Sequence, residues 1–230
     1  MKQNERLSRR DVLRLGVAAT TASLLTGNAD LLFAAPATGT PPMTPRAAID
    51  ELVAGNKRFV SGRLTANEQD LTVLRRQTEK EQEPFAAVLS CADSRVPVEL
   101  IFDQTIGRIF VIRVAGNVTT PEIIGSLEYG AAVLGTAAIL VLGHSNCGAV
   151  SATIQGKEVP GQISSLFAHI QPAVSQAGSD LEQATKANAR LQAGLLRQSS
   201  VVIARMVKAD SIRVVAGYYD LATGAVTLLD

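Results

Sequence analysis

Two apolar runs in this chain each end at a residue that can bind a transition metal. Phe85–Ser90 is followed by Cys91, and Ala137–Gly143 is followed by His144. Continuous apolar runs of this length predict strands that are buried on both faces, as in a parallel sheet. In such sheets the ligands bind beyond the carboxyl ends of the strands. The two runs therefore predict a fold in which Cys91 and His144 can come together.

Three more strands are predicted, and helices alternate with the strands along most of the chain. The further strands are Arg108–Val114, Ile212–Tyr218 and Ala225–Leu229, and a hairpin turn at 220–224 joins the last two. The alternation predicts an α/β fold. Its mostly parallel central sheet has four strands plus an antiparallel edge strand, and helices flank it.

The predicted helices differ in how clearly the sequence delimits them. Thr44-Pro45 is typical of a helix start, and a helical arm follows it to about Lys80. Later helices are predicted over 121–134, from Gly148 to Ile154, and over 162–208 with an interruption near Gly178.

The composition and charge of the chain limit the kinds of molecule that it can bind. The chain has 230 residues, of which 47% are hydrophobic and 4% aromatic, and this suits one domain with an aliphatic core. The formal net charge is +1 and no long basic run occurs. We therefore expect no nucleic acid partner.

The N-terminus resembles a twin-arginine export signal. Arg9 and Arg10 precede an apolar stretch, 13–35, and Ala35-Pro36-Ala37 offers a small-x-small cleavage site. Polar residues interrupt the stretch, so we expect no stable membrane span after cleavage. The expected organisation is a signal peptide over 1–37, a folded domain over 38–230 and a periplasmic location. The alternative is a basic start to an ordinary amphipathic helix.

Cys91, His144 and Cys147 provide two thiolates and an imidazole, which fill three of the four positions around a tetrahedral Zn²⁺. The fourth position stays open, as in catalytic rather than structural zinc sites. Asp93 and Arg95 add a charged pair that suits proton or hydroxide chemistry. In an oxidising compartment the two cysteines alternatively predict a disulfide. The twin-arginine route carries folded proteins, so zinc loading in the cytoplasm is compatible with export.

The pattern Cys-x-Asp-x-Arg after one strand and His-x-x-Cys-Gly after a later one resembles the β-class carbonic anhydrases. The likeness covers roughly residues 45–230. Further segments that resemble the family are Ser94-Arg95-Val96-Pro97, Ile101-Phe102-Asp103, Val114-Ala115-Gly116-Asn117, Ser126-Leu127-Glu128-Tyr129 and Gly217-Tyr218-Tyr219-Asp220.

The resemblance implies a zinc lyase that hydrates CO₂ reversibly to bicarbonate and a proton, by attack of zinc hydroxide. Cys91, His144 and Cys147 would hold the zinc. Asp93 would orient the hydroxide, and Arg95 would keep Asp93 away from the metal. In some relatives the equivalent Asp ligates the zinc and blocks catalysis. Relatives with a non-catalytic bicarbonate pocket carry a Trp where this chain has Val88, so we expect the open arrangement.

Four further residues correspond to substrate-pocket positions of the family. Gln82 would donate a hydrogen bond to substrate, and Phe110 and Tyr129 would form an apolar wall contributed by a neighbouring subunit. Gly148 would offer its backbone N–H or merely permit tight packing. The plainer interpretations are a solvated Gln82 and ordinary core aromatics. The implied assembly is a homodimer or a higher even homo-oligomer.

Other functions remain open from the sequence. A CS₂ or COS hydrolase would use the same fold, and a non-catalytic zinc or bicarbonate-binding protein would keep the ligands without turnover. A thiol redox protein is disfavoured because the chain has no Cys-x-x-Cys motif. His169, the second histidine, is interpreted as a surface or supporting residue, with a proton shuttle as the alternative.

Overall fold

The computed structural model describes residues 43–66 and 71–229. Its centre is a five-stranded sheet with the order β2-β1-β3-β4-β5, in which β5 alone is antiparallel to its neighbour. This arrangement confirms the predicted fold class. The strands are β1 Ala86–Ser90, β2 Ile109–Arg113, β3 Ala138–His144, β4 Arg213–Tyr219 and β5 Val226–Leu228.

Helices cover both faces of the sheet. They are α1 Pro45–Val60, α2 Leu71–Thr78, α3 Val98–Ile101, α4 Pro121–Glu128, α5 Gly148–Gln155, α6 Phe167–Ala177, α7 Leu181–Ser199 and α8 Val201–Lys208. A π-helical turn, Tyr129–Val133, continues α4, and 3₁₀ turns lie at Ala115–Asn117 and Gly161–Leu166. The predicted break near Gly178 is present. A second break, at Ser200, was not predicted, and there the Ser200 hydroxyl accepts from Ile203 N–H and caps α8.

The two central strands are buried along their whole length, as their uninterrupted apolar sequences predict. Successive side chains point to opposite faces of the sheet. Val88 and Leu140 pack into the core beneath α1 and α3, whereas Leu89 and Val141 pack beneath α7 and α8. The aliphatic composition thus supplies a core on each side of the sheet, and a third buried cluster contains Cys91 and Cys147.

The register of the central strands places the candidate ligands. Ser90 of β1 pairs with Leu142 of β3 in parallel, so the residues that follow Ser90 lie beside the end of β3. Cys91 comes next after Ser90, and His144 is the last residue of β3. Both ligands therefore lie at the carboxyl edge of the sheet, as the sequence predicted.

The first helix of the predicted arm belongs to the core of its own chain. Ala48, Ile49 and Leu52 of α1 are buried in the cluster that contains Val88. The buried Asn56 side chain also bonds the main chain of α3 and of the β4–β5 hairpin. In α2 only Leu74 is buried. The arm is thus held mainly by α1, and a deletion of the whole arm would remove core contacts.

The predicted signal peptide, 1–37, lies outside the described residues. Among the residues that the structure does describe, none of the helices is both long enough and apolar enough to span a bilayer.

Candidate metal centre

Three buried side chains meet at the carboxyl edge of the sheet. Cys91 directly follows β1, His144 ends β3, and Cys147 precedes the first residue of α5. Their ligand atoms all lie within 4.8 Å of one another. Both cysteines are free, so the disulfide alternative does not describe this structure.

His144 is held in the form that a metal requires. Its Nδ1 lies 2.9 Å from the carbonyl oxygen of Ser145, and a hydrogen bond to that acceptor needs a proton on Nδ1. The Nε2 atom then carries a free lone pair. Nε2 is fully buried and has no hydrogen-bond partner in the described chain. A buried nitrogen left unpaired is costly, and Zn²⁺ bound by two thiolates and an imidazole would satisfy it.

The two thiols shift each other's pKa in opposite directions. The Cys147 thiol donates a hydrogen bond to Cys91, and this bond lowers the pKa of Cys91 against the opposing effect of burial. The backbone N–H of Gly116, 3.3 Å from Cys91 Sγ, lowers it further. The same contact, together with burial, raises the pKa of Cys147. Both cysteines would have to be deprotonated to bind a divalent cation, which is the usual coupling of metal binding to proton release.

Asp93 and Arg95 form a two-pronged ion pair next to the three ligands. Arg95 Nε lies 2.9 Å from Asp93 Oδ1, and Nη2 lies 2.7 Å from Oδ2. The Arg95 backbone N–H also donates to Oδ1. The Arg95 side chain is the main reason that the pKa of Asp93 falls far below its ordinary value, and desolvation opposes it. Asp93 is therefore ionised at neutral pH and directed toward Arg95.

The pair is also anchored relative to the ligands. Asp93 Oδ2 lies 3.9 Å from His144 Nε2, the atom that faces the metal position. Arg95 Nη2 donates to the carbonyl of Asn146, in the turn between His144 and Cys147. The carboxylate thus lies beside the three candidate ligands while both of its oxygens are held by Arg95.

Arg113 is a supporting residue that sequence reasoning missed. It ends β2, and its guanidinium donates to the carbonyl oxygens of Cys91, at 3.0 Å from Nε, and of Asp93. These bonds fix the backbone that carries both a ligand and the acid. An arginine at a strand end is an unspecific sequence signal. Only the parallel pairing of Ser90 with Arg113 reveals its place.

Three of the four predicted substrate-pocket residues, Gln82, Phe110 and Tyr129, are not gathered around the ligands of their own chain. Phe110 and Tyr129 contact each other, with ring centroids 6.2 Å apart, and Tyr129 is 48% exposed. Phe110 lies three residues before the end of β2. Gln82 is exposed and precedes the amino end of β1, whereas Cys91 follows the carboxyl end. A five-residue strand is about 17 Å long, so Gln82 is remote from the ligands of its own chain.

Gly148 and His169 lie in two helices of the chain, α5 and α6. Gly148 is the exposed first residue of α5, and a Cβ placed there would meet no atom within 4 Å. Tight packing within the chain therefore does not explain this glycine. His169 lies in α6, and its carbonyl oxygen accepts a hydrogen bond from Gln192.

Known proteins resemble this chain in sequence and in fold. The family model described as carbonic anhydrase matches residues 86–226. The carbonic anhydrase of Mycolicibacterium smegmatis is 35% identical over 82% of this chain and 95% of its own length. Carbonic anhydrase 2 of Mycobacterium tuberculosis is 33% identical over 83% and 95%. The chain belongs to the carbonic anhydrase family.

Solved structures support the same fold. The β-carbonic anhydrase CcaA superposes with a TM-score of 0.63 at 24% identity, over 78% of this chain and 86% of that one. A tetrameric β-carbonic anhydrase of Sordaria macrospora gives 0.64 at 18% identity, over 79% and 96%. Family, curated relatives and the Cys-His-Cys cluster together identify a carbonate dehydratase with zinc as its cofactor.

Replacing one ligand should empty the site. We expect wild-type protein to carry zinc in each chain and Cys147→Ser to lose most of it. The melting temperature should fall as well, because metal binding contributes to folding free energy. Elemental analysis and thermal denaturation measure both effects. Thr153→Val is the matched control, since it removes a buried hydroxyl from α5 without touching a ligand. Full zinc occupancy in Cys147→Ser would refute the ligand assignment.

Proposed function

We propose that this carbonic anhydrase hydrates CO₂ through a centre in which Asp93, held by Arg95, orients the attacking water. The observation that carries the proposal is the position of the Asp93 carboxylate. It lies 3.9 Å from the metal-facing nitrogen of His144 and is bound at both oxygens by Arg95.

The chemistry divides between the metal and the chain. When bound, Zn²⁺ supplies the Lewis acidity that lets a water molecule ionise near neutral pH. With its carboxylate ionised, Asp93 would accept a hydrogen bond from that molecule and orient it toward CO₂. Arg95 keeps the carboxylate from approaching the metal, and Arg113 holds the backbone of Cys91 and Asp93.

Loss of either dyad residue should slow turnover. Asp93→Asn should keep its zinc but lower the rate of CO₂ hydration by about 10²–10⁴-fold, the usual effect of removing a positioned acid or base. Arg95→Ala should cause a similar loss, because it frees Asp93 to approach the metal. Stopped-flow CO₂ hydration and zinc analysis measure the two properties separately.

A matched control and two other substrates complete this experiment. Glu99→Gln, an exposed carboxylate of α3, should leave the rate unchanged. Wild-type turnover in Asp93→Asn would remove the dyad from the mechanism. Wild-type protein that hydrolyses CS₂ or COS but not CO₂, or that binds zinc without any turnover, would refute the proposal itself.

The pocket is completed by a second copy of the chain, in a homodimer or a higher even oligomer. Gln82, Phe110 and Tyr129 are remote from their own ligands or point to a surface, as described above. The sheet also ends at β2, the strand that carries Phe110. An edge strand with free hydrogen-bonding groups is a natural pairing surface. The structural relative from Sordaria macrospora is tetrameric.

Subunit complementation should reveal a shared pocket. Asp93→Asn and Tyr129→Ala chains, each impaired alone, are co-expressed in equal amounts, and all dimers are purified together without separating the mixed pairs. If one chain supplies Asp93 and its neighbour supplies Tyr129, each mixed dimer has one intact site. About a quarter of wild-type activity should then return after random pairing.

A mixture of Asp93→Asn with Arg95→Ala is the control, because both changes fall in the same half of the pocket and no intact site can form. Absence of rescue in the first mixture, or a fully active monomer in sedimentation, would return Phe110 and Tyr129 to an ordinary packing role.

The protein is exported to the periplasm by the twin-arginine route. The support is the Arg9-Arg10 pair ahead of an interrupted apolar stretch. A pre-folded zinc site also suits a pathway for folded cargo. Replacing both arginines with lysine should leave unprocessed, zinc-loaded protein in the cytoplasm, as fractionation would measure. Periplasmic protein from that double variant would contradict this route.

A further inference from the structure

Two fully buried amides on α7 lie close to the metal centre without touching its ligands. Asn188 and Gln192 are both 0% exposed and stand one helical turn apart. Gln192 Nε2 donates to Asn188 Oδ1 at 3.1 Å. A buried amide destabilises the folded state relative to leucine or alanine unless each of its polar atoms forms a hydrogen bond. Their partners therefore indicate what the pair stabilises.

Both amides bind the turn that runs from β2 to α4. Asn188 Nδ2 donates to the Gly116 carbonyl oxygen at 2.8 Å. Gln192 Oε1 accepts from the backbone N–H of Thr119 at 2.9 Å and from its hydroxyl at 2.6 Å. Gln192 Nε2 also donates to the His169 carbonyl oxygen of α6. The amides thus tie the turn to two helices.

The turn needs such support because its backbone is unusual. Gly116 and Asn117 have successive positive φ values of 75° and 45°. Non-glycine residues seldom adopt this region. Ile170 packs so closely that a Cβ on Gly116 would lie 2.7 Å from its Cδ1. Glycine and the amide pair together allow this conformation, which aims the Gly116 N–H at the sulfur of Cys91, 3.3 Å away.

A hydrogen bond to a metal-binding thiolate changes the electronic properties of the metal centre. It withdraws electron density from the sulfur, and outer contacts of this kind orient ligands and tune a site. With two thiolates, the centre is a weaker Lewis acid than one built from neutral imidazoles alone. The Gly116 N–H partly offsets the charge of Cys91, which favours ionisation of a bound water.

We propose that Asn188 and Gln192 are positioning residues of the metal centre, which hold the Gly116 N–H against Cys91 Sγ. The inference rests on the proposed zinc function. It extends that function to residues that contact neither the ligands nor the substrate.

The test uses cobalt in place of zinc, because Co²⁺–thiolate charge-transfer bands report the electron density on sulfur. In full-length Asn188→Leu protein, the loss of the N–H···S bond should shift this band to longer wavelength. The affinity for Co²⁺, measured by competition with a chelator, should fall by about 10–100-fold. Both readouts are independent of CO₂ hydration.

Thr185→Val is the matched control. Thr185 is buried on the same helix, but its hydroxyl bonds only the Leu181 carbonyl within α7. It should lose stability without a band shift. The inference is overturned if Asn188→Leu keeps the wild-type band and the wild-type affinity for Co²⁺ but loses stability as the control does. The amides would then have only a structural role.

A second variant covers the case in which Asn188→Leu does not fold. Gln192→Met removes the bonds to Thr119 and Asn188 while keeping a similar volume, and it should shift the band in the same direction. An unshifted band there also overturns the inference. Failure of the proposed function looks different, because wild-type protein would then lack a Co²⁺–thiolate band altogether or would show the band without CO₂ hydration.

Discussion

The parallel pairing of β1 with β3 is the constraint on which the site depends. It sets Ser90 beside Leu142 and so places Cys91 next to the end of β3, where His144 stands. Both strands are completely buried, which strongly disfavours a slip in register, because a one-residue shift would turn each side chain to the opposite face. Cys147 then needs only the short turn that begins α5. A rigid sheet edge thus brings three ligands together without a dedicated loop.

The two cysteine sulfurs carry negative charge as thiolates, and polar groups from several elements surround them. Arg95 lies next to the centre because it is paired with Asp93. Arg113 donates hydrogen bonds to the carbonyl oxygens of Cys91 and Asp93. The Gly116 N–H points at Cys91, and Ser145 fixes the ring of His144. Each of these contacts comes from a different element. The site is therefore a property of the packed sheet edge rather than of its two motifs alone.

The single chain leaves part of the expected pocket incomplete. The ligands and the dyad lie at the carboxyl edge, whereas Gln82 lies beyond the amino end of β1 and Tyr129 is half exposed. β2, which carries Phe110, is an edge strand. The proposed second chain, placed against β2, would account for all three positions. The first helix of the arm, by contrast, serves the core of its own chain.

The sequence by itself determined the strands, the fold class and the set of metal-binding residues. Buried strands need uninterrupted apolar runs, and few types of side chain can bind zinc. Both features can therefore be recognised from short stretches of sequence. The tertiary structure alone decided the remainder: Arg113 behind Cys91, the amides of α7 on the Gly116 turn, and the separation of Gln82 from the ligands. These contacts join residues far apart in the chain. They depend on strand register and on which face of a helix meets the sheet, and no short segment of sequence encodes either.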